Sequence, residues 1–228
     1  MIAGRTARRS ERAALGADSA TRGAEAAALG GGRLAGHPVA ARWLRPAGLL
    51  AGLAIVIGAR WAATVDGLDA IGVGVLFGAA LVWVAVVGSQ GTVAFRRPRV
   101  AEVVYGVVGG TALIAIAVVA SSSVPRPIGE PAPSFAPWAA VTLLVAGAEE
   151  LLLRGVLFRA VERAGGVVAA VAVTSIAFAV MHVPLYGWHV VPLDLGVGIF
   201  LGGLRLAGGG WLGPAIAHAI ADLATWWL

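Results

Sequence analysis

The chain has 228 residues, of which 59% are hydrophobic and 13% charged, and its mean hydropathy of +0.87 predicts an all-α, polytopic integral membrane protein rather than a soluble domain. Its 17 basic residues are all arginine and lie mainly outside the apolar runs, so we interpret the net charge of +5 as orienting the chain in a membrane rather than binding nucleic acid. The chain has no cysteine, which excludes disulfides and thiolate metal sites.

The first 45 residues are followed by a series of apolar runs. Residues 1–45 lack a sustained apolar period, and we predict a disordered, basic cytoplasmic arm there. The apolar runs, most of them near the length that crosses a bilayer, are at about 46–64, 70–88, 101–120, 136–158, 166–183, 190–204 and 211–228. Arg60 interrupts the first run, and the sixth is short and contains Asp194. The pattern predicts a bundle of about seven transmembrane helices.

The segments between the runs alternate in arginine content. Arginines cluster before the first run, between the second and third, and at the end of the fourth, whereas the proline-rich segment 121–135 is poor in them. The positive-inside rule therefore predicts a cytoplasmic amino terminus and an external loop at 121–135. This loop separates three amino-terminal helices, 46–120, from a four-helix core, 136–228. We expect a multi-pass protein of a cell membrane, and the exclusive use of arginine over lysine indicates a GC-rich, bacterial genome.

The fourth run contains the charged sequence "EELLLR", residues 149–154, inside an otherwise apolar stretch. An ionisable group at bilayer depth is costly, so it normally faces the bundle interior and has a partner or a function. Glu150 and Arg154 are four residues apart and share a helical face, which a structural ion pair would explain. Glu149 lies about 100 degrees around the helix and has no partner in its own run.

Two later runs contain a histidine with a neighbour four residues away. "FAVMH" places Phe178 and His182 on one helical face, and "HAIAD" does the same for His218 and Asp222. A lone intramembrane histidine more often makes a hydrogen bond between helices than it catalyses a reaction. Two histidines, two glutamates and an aspartate in three of the last four runs instead indicate a site.

A hairpin between the fourth and fifth runs would bring two of these groups together. If the chain turns at Gly165 and Gly166, Glu150 and His182 lie at a similar depth. A carboxylate beside a histidine can take a proton from water, and a second histidine can stabilise an oxyanion. Alternatively, two histidines and a carboxylate can hold a divalent metal such as zinc. Both arrangements lead to hydrolysis, with water as the attacking group because the chain has no nucleophile elbow.

The three motifs in this order, "EELLLR", "FAVMH" and "HAIAD", resemble the CPBP intramembrane protease family, also called Abi or type II CAAX prenyl endopeptidases. The resemblance covers about residues 136–228. It implies an all-helical membrane endopeptidase that hydrolyses peptide bonds of membrane-associated or peptide substrates, either as a metalloprotease or by a metal-free glutamate mechanism. The catalytic residues carried over by the resemblance are Glu149, Glu150, Arg154, His182, His218 and Asp222, of which Glu149, His182 and His218 would be the metal ligands.

The resemblance also implies a role for each of these residues. Glu149 and Glu150 form the catalytic glutamate pair, His182 works with them on the water, and Arg154 holds the second glutamate. His218 and Asp222 complete the site as oxyanion stabiliser or metal ligands. Asp222 stands where the prenyl proteases have asparagine, and because an ionised aspartate cannot donate a hydrogen bond, it favours orienting His218 or binding a metal.

Two rival functions remain open at this point. A proton-coupled transporter would show paired repeats or broken helices in both halves, and none is visible. A non-catalytic scaffold would explain the pair Glu150 and Arg154, but not Glu149, His182 and His218 together. The expected partners are a peptide or membrane-protein substrate and the lipid bilayer, without nucleic acid. His189 and Asp194, at the start of the sixth run, are interpreted as an interfacial cap or loop contact.

Overall fold

The computed structural model describes residues 39–91, 98–121 and 134–228, and every regular element in these ranges is a helix. The α-helices are α1 (Val39–Val65), α2 (Ala70–Ser89), α3 (Val100–Ser121), α4 (Phe135–Glu150), α5 (Phe158–Tyr186), α6 (Val191–Gly208) and α7 (Leu212–Ala224). A π-helical turn, Leu151–Leu157, connects α4 to α5, and a 3₁₀ turn, Trp188–Val190, precedes α6. The predicted all-α membrane bundle is confirmed.

Five helices of the described ranges are long and apolar enough to cross a membrane, and one of them covers two of the predicted runs. This helix, Phe135–Tyr186, has 52 residues and includes α4, the π-helical turn and α5. It is broken at Gly166, whose φ of 84° and ψ of 176° are not helical. The break lies where the sequence predicts the turn between the fourth and fifth runs. A glycine is needed at this point, because only glycine adopts this conformation without strain.

The ends of the bundle differ from the sequence prediction at two places. Helix α1 begins at Val39, inside the segment predicted as a disordered arm, and Arg45 in its second turn donates from Nε and Nη2 to the Gly88 carbonyl, at 3.0 and 2.8 Å. Helix α7 ends at Ala224 rather than at 228, because the last residues turn back and the Trp226 ring packs 5.3 Å from the Phe135 ring. Residues 1–38 and 122–133, with most of the predicted external loop, lie outside the described residues.

Helix packing brings the motif-bearing segments to the centre of the bundle. Helix α3 packs against α7, α5 against α6, and α4 against both α2 and α7. Glycine makes the contact between α3 and α7 close: a Cβ added at Gly110 would lie 2.7 Å from Cβ of Ile220. Such small residues let helices approach where hydrophobic collapse in water does not drive them together. This contact holds α7, and with it His218, against the rest of the core.

The π-helical turn Leu151–Leu157 passes through the most buried part of the bundle. All seven of its residues are buried. A π-helical turn has wider hydrogen bonding than an α-helix, which leaves carbonyl groups for other partners. Two side chains take them: Arg205 Nε donates to the Arg154 carbonyl at 3.0 Å, and Arg159 Nε donates to the Gly155 carbonyl at 2.6 Å. The turn therefore binds α6 to the centre of the chain through hydrogen bonds as well as packing.

Candidate active site

A fully buried ion pair lies at the centre of the site. Arg154 Nη1 donates to Glu150 Oε1 at 2.6 Å, and both side chains are inaccessible to solvent. Arg154 Nη2 donates to the Gly198 carbonyl of α6 at 3.1 Å, and its guanidinium carbon lies 4.8 Å from the centre of the Phe178 ring. The pair that the i, i+4 spacing predicts thus also connects α4 to α5 and α6.

His218 reaches this pair from α7. Its Nδ1 lies 3.1 Å from Glu150 Oε1, so one carboxylate oxygen contacts both the arginine and the histidine. Its Nε2 lies 3.3 Å from Asp222 Oδ2, one turn further along α7, and 4.0 Å from Glu149 Oε2. Both ring nitrogens of His218 therefore face carboxylates, and the imidazole is held in one orientation from two sides.

The two adjacent glutamates have different surroundings. Glu150 is held by Arg154 and His218, whereas the Glu149 carboxylate has no hydrogen-bond partner among the residues that the structure describes. Glu149 is also nearly inaccessible, with 3% of its side chain exposed, but it lines a cavity that His182 also lines. Glu149 is thus the glutamate whose carboxylate is available to a molecule in that cavity.

His182 stands on the other side of the Phe178 ring. Its Nδ1 lies 2.8 Å from the Phe178 carbonyl, one turn back on α5, which leaves Nε2 for other partners. The Phe178 ring is 4.7 Å from the His182 ring and 5.3 Å from the His218 ring. The phenylalanine of "FAVMH" therefore separates the two histidines and lies against Arg154.

Two adjoining cavities give access to these groups. One, of about 430 Å³, is lined by His182, His218 and Asp222 together with apolar side chains of α3 and α6. The other, of about 380 Å³, is lined by Glu149, His182 and Asp222. Their shared lining residues are Trp138, Thr142, His182, Tyr186 and Asp222. Because the two cavities meet at His182 and Asp222, a single extended molecule can contact Glu149, His182, His218 and Asp222.

The structure adds lining residues that sequence reasoning did not place in the site. Asp194 lies in the first turn of α6, at the start of the sixth run as the sequence analysis placed it, and its Oδ2 is also 3.7 Å from His182 Nδ1. The reason is that α6 packs along α5 and turns this side chain toward the cavity. Tyr186, one turn after His182, stacks on its ring at 6.0 Å. The sequence contained a signal for each residue: Tyr186 is four residues from His182, and Asp194 is a charged residue inside an apolar run.

The predicted metal ligands Glu149, His182 and His218 do not form a ligand cluster in this structure. Within the described ranges, no group of three or more histidine, aspartate and glutamate side chains is arranged to hold a metal ion. The reason is visible at the histidines, since both nitrogens of His218 face Glu150 and Asp222, and Nδ1 of His182 engages a backbone carbonyl. Metal binding therefore stays a prediction.

Residues 131–224 match the protein-family model described as type II CAAX prenyl endopeptidase Rce1-like. No curated protein and no solved structure matches the chain. The matched segment contains all three motifs, and with them Glu149, Glu150, Arg154, His182, His218 and Asp222. The match confirms the resemblance to the CPBP intramembrane proteases on which the sequence analysis ended.

Proposed function

We propose that residues 131–224, which match the model of the type II CAAX prenyl endopeptidases, hydrolyse peptide bonds of membrane-associated or peptide substrates with a water molecule activated by Glu149 and His182. The observation that carries the proposal is the difference between the two glutamates. Glu150 is neutralised by Arg154, whereas Glu149 faces a cavity with His182 and has no hydrogen-bond partner among the described residues.

In the first step Glu149 acts as the general base. Its carboxylate takes a proton from water while the water oxygen attacks the carbonyl carbon of the scissile bond and the carbonyl electrons move to its oxygen. Because Nδ1 of His182 donates to the Phe178 carbonyl, Nε2 carries the lone pair that accepts the second hydrogen of the water and orients it. General acid–base catalysis of this kind contributes about a hundredfold to ten-thousandfold in rate.

In the second step the tetrahedral intermediate collapses. His218 lies between Glu150 and Asp222, which hold its imidazole in one orientation. When the ring carries a second proton, its positive charge stabilises the oxyanion electrostatically. The carbonyl then reforms, the carbon–nitrogen bond breaks, and Glu149 passes its proton to the departing amine. The products are a free carboxyl terminus and a free amino terminus.

The remaining residues of the motifs position these groups. Arg154 fixes Glu150 through the 2.6 Å ion pair, and Glu150 in turn fixes His218. Asp222 orients the opposite side of the same ring, with 3.3 Å between its Oδ2 and Nε2. Their roles are therefore exerted through His218, which supports the orienting role that the sequence analysis favoured for Asp222 over direct oxyanion binding.

The experiment that tests this proposal is cleavage of a labelled membrane-peptide library by the purified full-length protein. We expect product from the wild type, and a loss of roughly a hundredfold or more in Glu149→Gln and His182→Ala. The matched control is Glu162→Gln, which removes an exposed glutamate of α5 outside the site and should cleave like the wild type.

The outcomes separate the alternatives. Product formed equally by the wild type, Glu149→Gln and His182→Ala would contradict the proposed mechanism. Background product from all folded proteins would favour a non-catalytic scaffold. A chelator arm tests the predicted metal, because activity that is lost on chelation and restored by zinc would show that the reaction requires one, with Glu149, His182 and His218 as the predicted ligands.

A further inference from the structure

The motif residues supply a base and a positive charge to the site, but they leave the oxyanion without a direct hydrogen-bond donor. The tetrahedral intermediate needs such a donor because its oxygen gains a negative charge. The carboxylates of the motifs accept hydrogen bonds and do not donate them when they are ionised. Arg154 is inaccessible to solvent and donates to Glu150 and to the Gly198 carbonyl, so it does not reach a substrate.

Both histidines of the motifs are also committed to other groups. Nδ1 of His218 lies 3.1 Å from Glu150 Oε1, and its Nε2 lies 3.3 Å from Asp222 Oδ2. A hydrogen on either nitrogen therefore points to a carboxylate rather than to a substrate oxygen. His182 donates from Nδ1 to the Phe178 carbonyl, and its Nε2 accepts a hydrogen from the water in the proposed mechanism. A donor supplied by the protein therefore comes from outside the three motifs.

The position of the reaction limits where this donor can be. Glu149 lines one of the two adjoining cavities and His218 lines the other, so the reacting carbonyl lies where the cavities meet. The residues outside the motifs that line both cavities each carry a side-chain donor: Trp138, Thr142 and Tyr186. Among the described residues, none of these donors has a hydrogen-bond partner. Arg60 is also a donor, but it lines only the cavity of Glu149, and its guanidinium carbon lies 4.2 Å from the centre of the Phe77 ring.

Depth along the helices separates the three shared residues. Trp138 and Thr142 lie on α4, eleven and seven residues before Glu149, which corresponds to about 16 and about 10 Å along the helix axis. Tyr186 lies on α5, four residues after His182, which corresponds to about 6 Å. In depth, Tyr186 is therefore the donor nearest to the groups that activate the water.

The Tyr186 side chain is accessible and is held beside His182. Its ring stacks on the His182 ring with 6.0 Å between the ring centres and 24° between the ring planes. The residue is 57% exposed and lines both cavities, so a substrate there can contact it. A tyrosine hydroxyl carries its proton at neutral pH and is a hydrogen-bond donor. The ring contact holds the side chain without using the hydroxyl, which leaves the O–H group for a ligand.

We propose that Tyr186 is a further catalytic residue, whose hydroxyl donates a hydrogen bond to the oxyanion of the tetrahedral intermediate. This role rests on the proposed function, because the oxyanion forms only when a peptide bond is attacked. The O–H bond does not break. The hydrogen bond strengthens as the carbonyl electrons move to the oxygen, and it weakens when the carbonyl reforms. Tyr186 acts by direct contact, whereas the charge of His218 acts through space.

Steady-state cleavage of one library peptide by the full-length protein tests this role. Tyr186→Phe keeps the ring that stacks on His182 and removes only the hydroxyl. We expect its kcat to fall about a hundredfold or more with KM unchanged, because the lost hydrogen bond forms only in the transition state. Tyr186→Trp keeps an aromatic ring with an N–H donor and should recover part of the lost kcat. The matched control is Tyr105→Phe, at the other tyrosine of the chain, on α3 and outside both cavities, and it should cleave like the wild type.

A binding measurement examines the same hydrogen bond without cleavage. Two fluorescent peptides of one apolar sequence differ only at the central bond. One has a phosphinate, whose charged oxygen lies on a tetrahedral centre, and the other has a ketomethylene group, whose carbonyl is planar. Tyr186→Phe should weaken the Kd of the phosphinate about tenfold, as expected for one hydrogen bond to a charged oxygen, and leave the Kd of the ketomethylene peptide unchanged. Tyr105→Phe should change neither Kd.

The two measurements distinguish failure of this role from failure of the proposed function. If the wild type cleaves its peptide and Tyr186→Phe has the same kcat, hydrolysis stands and the role of Tyr186 is wrong. A raised KM with constant kcat, or equal weakening of both Kd values, would make Tyr186 a substrate contact and would also overturn the role. If the wild type cleaves no peptide, the proposed function fails and binding decides: weaker binding of the phosphinate alone by Tyr186→Phe supports the donor, and unchanged binding contradicts it. The unfolding temperature checks that each variant is folded.

Discussion

At the scale of single residues, Arg154 connects three helices of the site. It neutralises Glu150, donates to α6 at Gly198 and lies against Phe178. A buried ion pair is balanced only while both partners are present, because a single charge left in the interior keeps its full desolvation penalty. Removing one partner of the pair should therefore destabilise the fold more than removing both.

We predict that Arg154→Met lowers the free energy of unfolding by about 3–5 kcal/mol, because it leaves Glu150 buried without its cation. The double variant Glu150→Gln with Arg154→Met should recover most of this loss, since it removes both charges. The free energy is measured by unfolding with dodecyl sulfate in detergent micelles. Equal destabilisation of the single and double variants would show that packing against Phe178, rather than charge, is what Arg154 contributes.

A second prediction concerns Asp222. Its Oδ2 lies 3.3 Å from His218 Nε2, and a side chain that orients a catalytic histidine typically contributes tenfold to a hundredfold. Asp222→Asn keeps an acceptor but loses the charge, so we expect its kcat to fall about tenfold with KM unchanged. The kcat of Asp222→Ala should fall further. Cleavage kinetics on one peptide substrate make the comparison. A change in KM with constant kcat would instead place Asp222 in substrate binding.

At the scale of helices, glycine decides which elements come close. The α3–α7 contact depends on Gly110, whose added Cβ would lie 2.7 Å from Ile220 Cβ. We predict that Gly110→Ala destabilises the fold by about 1–3 kcal/mol through overpacking and weakens cleavage by displacing His218. Gly58→Ala is the control, because nothing lies within 4 Å of a Cβ added there. Unfolding in detergent measures the stability of both variants, and equal stability of Gly110→Ala and Gly58→Ala would contradict the predicted overpacking.

The break in α5 leads to a third stability prediction. Gly166 has φ +84° and open space around an added Cβ, so a substitution there is unfavourable through backbone strain alone. Gly166→Ala should destabilise by about 1–3 kcal/mol. Gly147→Ala also adds a methyl group into open space, but within α4 at helical φ, and should be neutral or slightly stabilising. A neutral Gly166→Ala would mean that α5 can break at this point without a glycine.

At the scale of the whole molecule, membrane orientation follows from the distribution of arginine. We predict that the connection between α1 and α2, at Asp66, is external and that the region near Gly166 is cytoplasmic. The chain has no cysteine, so Asp66→Cys and Glu162→Cys each supply one thiol without background. A membrane-impermeant maleimide applied to intact cells should label Asp66→Cys, and label Glu162→Cys only after permeabilisation. The reverse pattern would invert the predicted topology.

Hydropathy and local spacing were sufficient for much of this molecule. The apolar runs predicted the membrane helices, and the spacing of four residues predicted which side chains share a face, including Glu150 with Arg154 and His218 with Asp222. These features depend only on residues one helical turn apart, so they can be read along the chain. The proposed turn at Gly166 can also be read along the chain, because its conformation is one that residues other than glycine avoid.

Contacts between helices were decided by the tertiary structure alone. No spacing along the chain indicates that one oxygen of Glu150 contacts both Arg154 and His218, that Asp194 faces His182, or that residues 151–157 form a π-helical turn. The physical reason is that the depth and rotation of each helix are set by side-chain packing over the whole bundle, as at Gly110 and Ile220. The sequence by itself determined that the chain lies in a membrane, where its helices are and which ionisable side chains they carry. Packing between the helices determined which of those side chains meet.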